Sequence, residues 1–123
     1  MVRRLMQSSR RYPRAGEIWF TDFGDPYPHE PAGRRPAVII GPRTNRTTSL
    51  PFVFVVPITT TLRQSVCHIE IAPNEENGLK IISAAQTELM RSISRERCIE
   101  QIGIVDTDSW IAIRESVQAL LNY

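Results

Sequence analysis

His29-Glu30-Pro31-Ala32-Gly33-Arg34-Arg35-Pro36-Ala37-Val38-Ile39-Ile40 passes from a proline-punctuated loop into an unbroken apolar run. Residues 37–40 read as a buried strand, because an apolar run closed by turn residues leaves no polar face. Pro36 fixes its own φ and drives Arg35 toward an extended conformation. One guanidinium is thereby held at the rim of a rigid element, where a functional group is best supported. Taken alone, two arginines at a strand entrance are ordinary solvated charge. Their meaning depends on what surrounds them.

On the N-terminal side, residues 16–23 alternate like a strand, with either Ile18 and Phe20 or Trp19 and Phe23 as its buried face. Residues 24–28 (Gly-Asp-Pro-Tyr-Pro) are a loop by composition. On the C-terminal side Gly41-Pro42 closes the apolar strand, and polar residues 43–49 form a loop or one helical turn. Residues 52–56 make a third strand that Pro57 is expected to terminate. In residues 66–72 the alternation puts Cys67, Ile69 and Ile71 inward and His68 and Glu70 outward. Residues 73–78 are a turn-rich connection. Within the mixed stretch 79–90, Ile81-Ile82 and Leu89-Met90 read as the two ends of a strand region. Ser94 can cap a short helix, and residues 101–105 form a last short strand. From Thr107 the period becomes helical, with Trp110, Ile113, Val117, Leu120 and Leu121 on one stripe and Asp106 or Thr107 as N-cap. The expected fold is α+β: a small barrel of short, mostly antiparallel strands closed by a C-terminal α-helix.

A chain of 123 residues is one domain. We expect a basic, flexible N-terminal arm over residues 1–14 and the folded domain over 15–123. No apolar run approaches the ~20 residues of a membrane span, and no apolar segment follows the first arginines as a signal peptide requires. Cys67 and Cys98 match no metal spacing and read as two reduced thiols, so a cytoplasmic protein with no membrane partner is expected. The net charge of +2 conceals an asymmetry: residues 31–69 carry Arg34, Arg35, Arg43, Arg46 and Arg63 and no Asp or Glu. The acids gather later, from Glu75 to Glu115. The middle of the chain thus presents a positive surface suited to an anionic partner.

Four motifs, in order, carry a resemblance. Gly16-Glu17-Ile18-Trp19, the stretch 29–40 quoted above, Val56-Pro57-Ile58-Thr59-Thr60 and His68-Ile69-Glu70-Ile71 resemble the MazF/PemK/Kid toxins, and the similarity spans residues 15–121. The resemblance implies an SH3-like β-barrel. It also implies a toxin of a toxin–antitoxin module that cuts single-stranded mRNA sequence-specifically without the ribosome. The partners it implies are a second copy of the chain in a homodimer and a cognate acidic antitoxin. By the same resemblance Arg35 is the catalytic arginine, Thr59 the catalytic threonine, and Glu30 a loop acid of the family.

The residue chemistry agrees with that implication. Metal-free RNA cleavage uses the substrate's own 2′-hydroxyl as nucleophile, leaving 2′,3′-cyclic phosphate and 5′-hydroxyl ends. It needs no cofactor. The enzyme must move two protons and stabilise extra charge on the phosphoryl oxygens. A fixed arginine suits the last task because its planar fork matches phosphate oxygens, and a strand-end hydroxyl such as that of Thr59 suits the same oxyanion. Arginine, with a pKa above ~12, is a poor base. His29 and Glu30 are therefore the candidates for the 2′-hydroxyl proton, and imidazole, near ~6.5 in peptides, is chemically the better base. Arg34, Arg43, Arg46, Thr60, Arg63 and His68 are candidate RNA contacts, and no metal site is expected. Two other functions stay open at this point: a toxin of the same fold that poisons a protein target such as gyrase, and a non-catalytic RNA-binding barrel.

Overall fold

The computed structural model describes residues 12–42 and 50–122, so residues 43–49, with the loop or helical turn expected there, lie outside it. Its strands are β1 (Glu17–Asp22), β2 (Arg34–Gly41), β3 (Phe52–Thr59), β4 (His68–Ile71), β5 (Ser83–Gln86), β6 (Arg91–Ser94) and β7 (Cys98–Ile104), followed by helix α1 (Thr107–Leu120). All pairings are antiparallel. The sheet runs β4-β5-β3-β2-β1-β7, with β6 also on β3. Among the described residues β4 and β7 remain edges, so the sheet is barrel-like and open.

Of the two candidate faces of β1, that of Trp19 and Phe23 is buried, whereas on the other face Ile18 is buried and Phe20 only half so. Ile18, Val38, Val56, Ile58, Ile71, Ala85 and Ile113 form one apolar cluster; Trp19, Phe23, Ala37, Ile39, Val53, Val55 and Ile93 form another. The period of two sends alternate residues of β1, β2 and β3 to opposite sides, so residues 18–19, 37–39 and 55–56 are buried on both faces. Trp110 and Val117 of α1 pack with Ile113 over the first cluster. Leu120 and Leu121, expected on that stripe, are exposed. Asp106 takes the N-cap position without a side-chain cap bond.

Two strand expectations need correction. Pro57 does not end β3, which runs on to Thr59. Its neighbour β6 pairs only as far as Val55, and β5 begins only at Ile58. Pro57 occupies the handover, where a missing N–H costs no ladder bond on that side. The strand in residues 79–90 lies in the middle, not at the ends: Ser83, Ala84 and Ala85 are buried, whereas Ile81 and Ile82 are exposed. β5 is flanked by β3 and β4, and the alanines that fill it give no hydrophobic signature.

The first described residues are seated on the body: Pro13 is buried, and the Arg95 guanidinium lies 4.0 Å from the centre of the Tyr12 ring. The expected Ser94 cap is present, accepting from the Glu96 amide over the 3-10 turn Arg95–Arg97. Residues 76–78 cross β7 at backbone distance. A Cβ on Gly78 or Gly103 would strike the backbone of Ile102 or of Asn77 respectively, and the Ile104 amide donates to the Glu76 carbonyl at 2.9 Å. Buried Asn77 ties this crossing together. Its Oδ1 accepts from the Asn74 and Leu79 amides, at 3.2 and 3.0 Å, and its Nδ2 donates to the Ala72 carbonyl at 2.9 Å.

Candidate functional site

Arg35, the second residue of β2, stands opposite Thr21, which is in turn opposite Cys98. On its other side β2 pairs with β3 through Ala37 and Pro57. The same offset carried two residues further sets Arg35 against Thr59, which pairs with Ala84, which pairs with Glu70. Cys98, Thr21, Arg35, Thr59, Ala84 and Glu70 thus make one row across the sheet, all on the face of the Trp19 cluster. Most of the apolar packing of that face lies on one side of this row, with Phe23 on the other. Thr59 Oγ1 accepts from the Thr61 amide at 3.1 Å, so its hydroxyl hydrogen remains available to donate outward.

Arg34, one residue earlier, belongs to the opposite face and pairs across the ladder with Asp22, Nε to carboxylate 3.7 Å. Both groups are well exposed, which makes this a weak ion pair. The loop carrying His29 and Glu30 is cinched at its base. The Phe23 amide donates to the Gly33 carbonyl and the Gly33 amide to the Gly24 carbonyl, both at 2.8 Å. Gly24 and Gly33 take φ of +83° and +68°, values that favour glycine. His29 has φ +66° at the exposed loop tip, and Glu30 reaches Arg91 of β6, 3.9 Å away. Arg91 has no signal in the sequence; it comes to the site through a contact between this loop and β6 that no spacing reveals.

Thr60 and Arg63 are exposed on the segment after β3, while Arg43 and Arg46 lie outside the described residues. His68 departs from expectation. Its side chain is only 5% exposed, and Nε2 lies 2.9 Å from Glu88. The outward position assigned by alternation is roofed by Glu88 from the following 3-10 turn, Thr87–Leu89. His68 is therefore a covered side chain and not the open surface group that alternation suggested. Cys98, beside Thr21, has its thiol pushed up to about 11 by burial, an effect that a hydrogen bond with Thr21 partly opposes. Cys67 and Cys98 are both unpaired thiols.

Residues 14–121 match the family model of the PemK-like, MazF-like toxins of type II toxin–antitoxin systems. The chain belongs to this family. Endoribonuclease MazF9 of Mycobacterium tuberculosis is 29% identical to this PemK/MazF-family toxin over 113 residues, 89% of this chain and 96% of that one. Among solved structures, MazF of Deinococcus radiodurans superposes with a TM-score of 0.79 at 23% identity, covering 92% of this chain and 99% of its own. MazF from the MazE–MazF complex of the same organism gives a TM-score of 0.72 at 20% identity, over 91% and 97% of the two chains. The PemK/MazF toxin fold is thus present in full, and Arg35 and Thr59 occupy the ends of its adjacent central strands.

Proposed function

We propose that this toxin is a sequence-specific, ribosome-independent endoribonuclease that cleaves single-stranded mRNA by attack of the substrate's 2′-hydroxyl. One observation carries the reading: the β2–β3 register directs Arg35 and Thr59 to the same row and the same face. Two donors so placed can meet one phosphoryl group. Arg35 offers a planar fork to the non-bridging oxygens, and the Thr59 hydroxyl donates to the same developing charge. Both are fixed by strands, so they need no reorganisation as charge develops.

The 2′-hydroxyl proton is handled from the loop over residues 24–33. His29 stands at its tip, and Glu30 is steered by Arg91; one of the two takes the 2′-hydroxyl proton as the oxygen attacks phosphorus. The departing 5′-oxygen takes its proton from solvent water, and the proton collected from the 2′-hydroxyl returns to solvent afterwards. Because the nucleophile belongs to the substrate, no metal-activated water is required, and the products carry 2′,3′-cyclic phosphate and 5′-hydroxyl ends.

The toxin acts in the cytoplasm as a twofold homodimer with RNA lying across both subunits, and an acidic antitoxin segment competes for the face of Arg35. Phe52 and Phe54, 51% and 46% exposed at the start of β3, supply apolar surface for the subunit contact. Incubating the full chain with a long single-stranded RNA and mapping the ends tests the central claim. We expect discrete cuts with 5′-hydroxyl ends that persist in chelator. Abolition by chelator, or 5′-phosphate ends, overturns the mechanism; absence of cutting overturns the activity. Sedimentation showing only monomer at micromolar concentration removes the dimer.

A further inference from the structure

Pro26, Pro28 and Pro31 leave the loop of residues 24–33 little internal freedom. Where His29 and Glu30 stand is therefore set by the angle at which the loop leaves the sheet. That angle is fixed at Asp22, the last residue of β1. Its carboxylate turns back along the chain, and Oδ1 accepts from the Gly24 amide at 2.8 Å, the local turn that aspartate favours. The turn holds Gly24 at φ +83°, where its carbonyl accepts from the Gly33 amide at 2.8 Å and closes the neck of the loop.

The Asp22 carbonyl is held as well. The β1–β7 register ends at Thr21 and Cys98, so no ladder pair of β7 reaches Asp22. Arg97, the last residue of the 3-10 turn before β7, takes that place with its side chain. Its Nη1 donates to the Asp22 carbonyl at 3.2 Å and lies 3.2 Å from the position that a Cβ on Gly24 would occupy. Arg97 is exposed, so what its guanidinium supplies is this brace and not core packing.

We propose that Asp22 and Arg97 are positioning residues for the proton transfer. Asp22 sets the turn at Gly24, Arg97 braces it from the β7 side, and together they aim His29 and Glu30 at the phosphoryl group held by Arg35 and Thr59. The inference rests on the reading above that the chain cuts RNA and that this loop takes the 2′-hydroxyl proton. In this role neither residue touches the reacting atoms. Each acts through the backbone, where misplacing a catalytic group by about 1 Å can slow a reaction on the order of 10²-fold. The Asp22–Arg34 ion pair is a separate contact, exposed and 3.7 Å long. Asparagine at position 22 tells the two apart, because its amide oxygen keeps the acceptor for Gly24 and drops the charge.

The test is cleavage by the full chain of a short RNA with one cut site, with kcat and KM read separately. Asp22→Ala should lower kcat by roughly 10–100-fold and change KM by no more than a few-fold. Asp22→Asn should recover most of the lost rate. Arg97→Ala should lower kcat by about 3–10-fold, as the loss of one hydrogen bond allows. A chain already lacking both loop groups gives the sharper measurement. In His29→Ala/Glu30→Ala, slow in its own right, adding Asp22→Ala should reduce the rate less than about twofold further, because nothing is left to aim. Should Asp22→Ala fail to fold, Arg97→Ala carries the same comparison, since removing an exposed side chain leaves the core intact. The proposal is overturned if Asp22→Ala and Arg97→Ala keep the wild-type kcat, if Asp22→Asn is as slow as Asp22→Ala, or if the full loss persists without His29 and Glu30. A wild-type chain that cuts no RNA overturns the nuclease reading, and this inference with it. An undiminished rate in His29→Ala/Glu30→Ala overturns the assignment of the proton to this loop.

Discussion

The two faces of the central sheet are built from the same strands and end differently. On the helix side, Ile18, Val38, Val56, Ile58 and Ile71 run into Ile113 of α1 with no polar interruption. On the other side the apolar cluster of Trp19, Phe23, Ala37, Ile39, Val53 and Val55 is crossed by a row holding Thr21, Arg35 and Thr59. Adjacent residues of one strand thus meet different surroundings: an apolar core on the helix side and, on the other, a second core crossed by a row of polar groups.

That division can be broken or sharpened by substitution. Arg35→Ala should slow single-turnover cleavage by roughly 10²–10³-fold, on the order of 3–4 kcal/mol of barrier, while the melting temperature hardly moves. Arg35→Lys should recover little, because a point charge cannot reproduce two parallel hydrogen bonds. Ile113→Ala is the mirror experiment. It should lower unfolding free energy by about 3 kcal/mol in denaturant titration and leave the rate per folded molecule nearly intact. Thr59→Ala should resemble Arg35→Ala in kind but stay within about 100-fold, and the double variant should be less than additive if both groups serve one oxyanion.

Cys98 carries the comparison into stability. Its thiol, moved from 9.0 to about 11 in the folded protein, stays neutral there after the unfolded chain has begun to ionise. The unfolded state then holds fewer protons, so stability is complete below about pH 9 and falls as pH rises toward 11. The loss, on the order of 1–2 kcal/mol after discounting for solvent screening, should vanish in Cys98→Ala in alkaline thermal melts. The smallest effect belongs to Arg34. Arg34→Ala should weaken RNA binding mildly, lower the salt slope by about one and act on KM far more than on kcat. An inactive Arg34→Ala beside a merely weak-binding Arg35→Ala would reverse the assignment of the two faces.

Much of this was legible in residue order. Strand β2, the short helical turn after Ser94 and the C-terminal helix follow from local pattern, and the placement of Arg35 follows from Pro36. The motifs in order were enough to suggest the family to which the chain belongs. What was not legible has one physical character: it depends on who the neighbour is. Pro57 is tolerated because β3 changes partner there. Ala84 and Ala85 are buried by crowding on both sides, which no hydrophobic count registers. His68 is covered because Glu88, twenty residues away, folds over it, and Glu30 finds Arg91 through a contact between a loop and a distant strand.

The knot of hydrogen bonds at Asn77 bears on how the protein ages. An asparagine followed by glycine is the pair most prone to lose ammonia, because the next amide nitrogen can attack the side-chain carbonyl. Here that carbonyl is held by two amides, its NH₂ group by Ala72, and Gly78 is pressed against Ile102. The attack must wait until the segment lifts away from β7, so the rate at which Asn77 turns to aspartate becomes a slow clock of local opening.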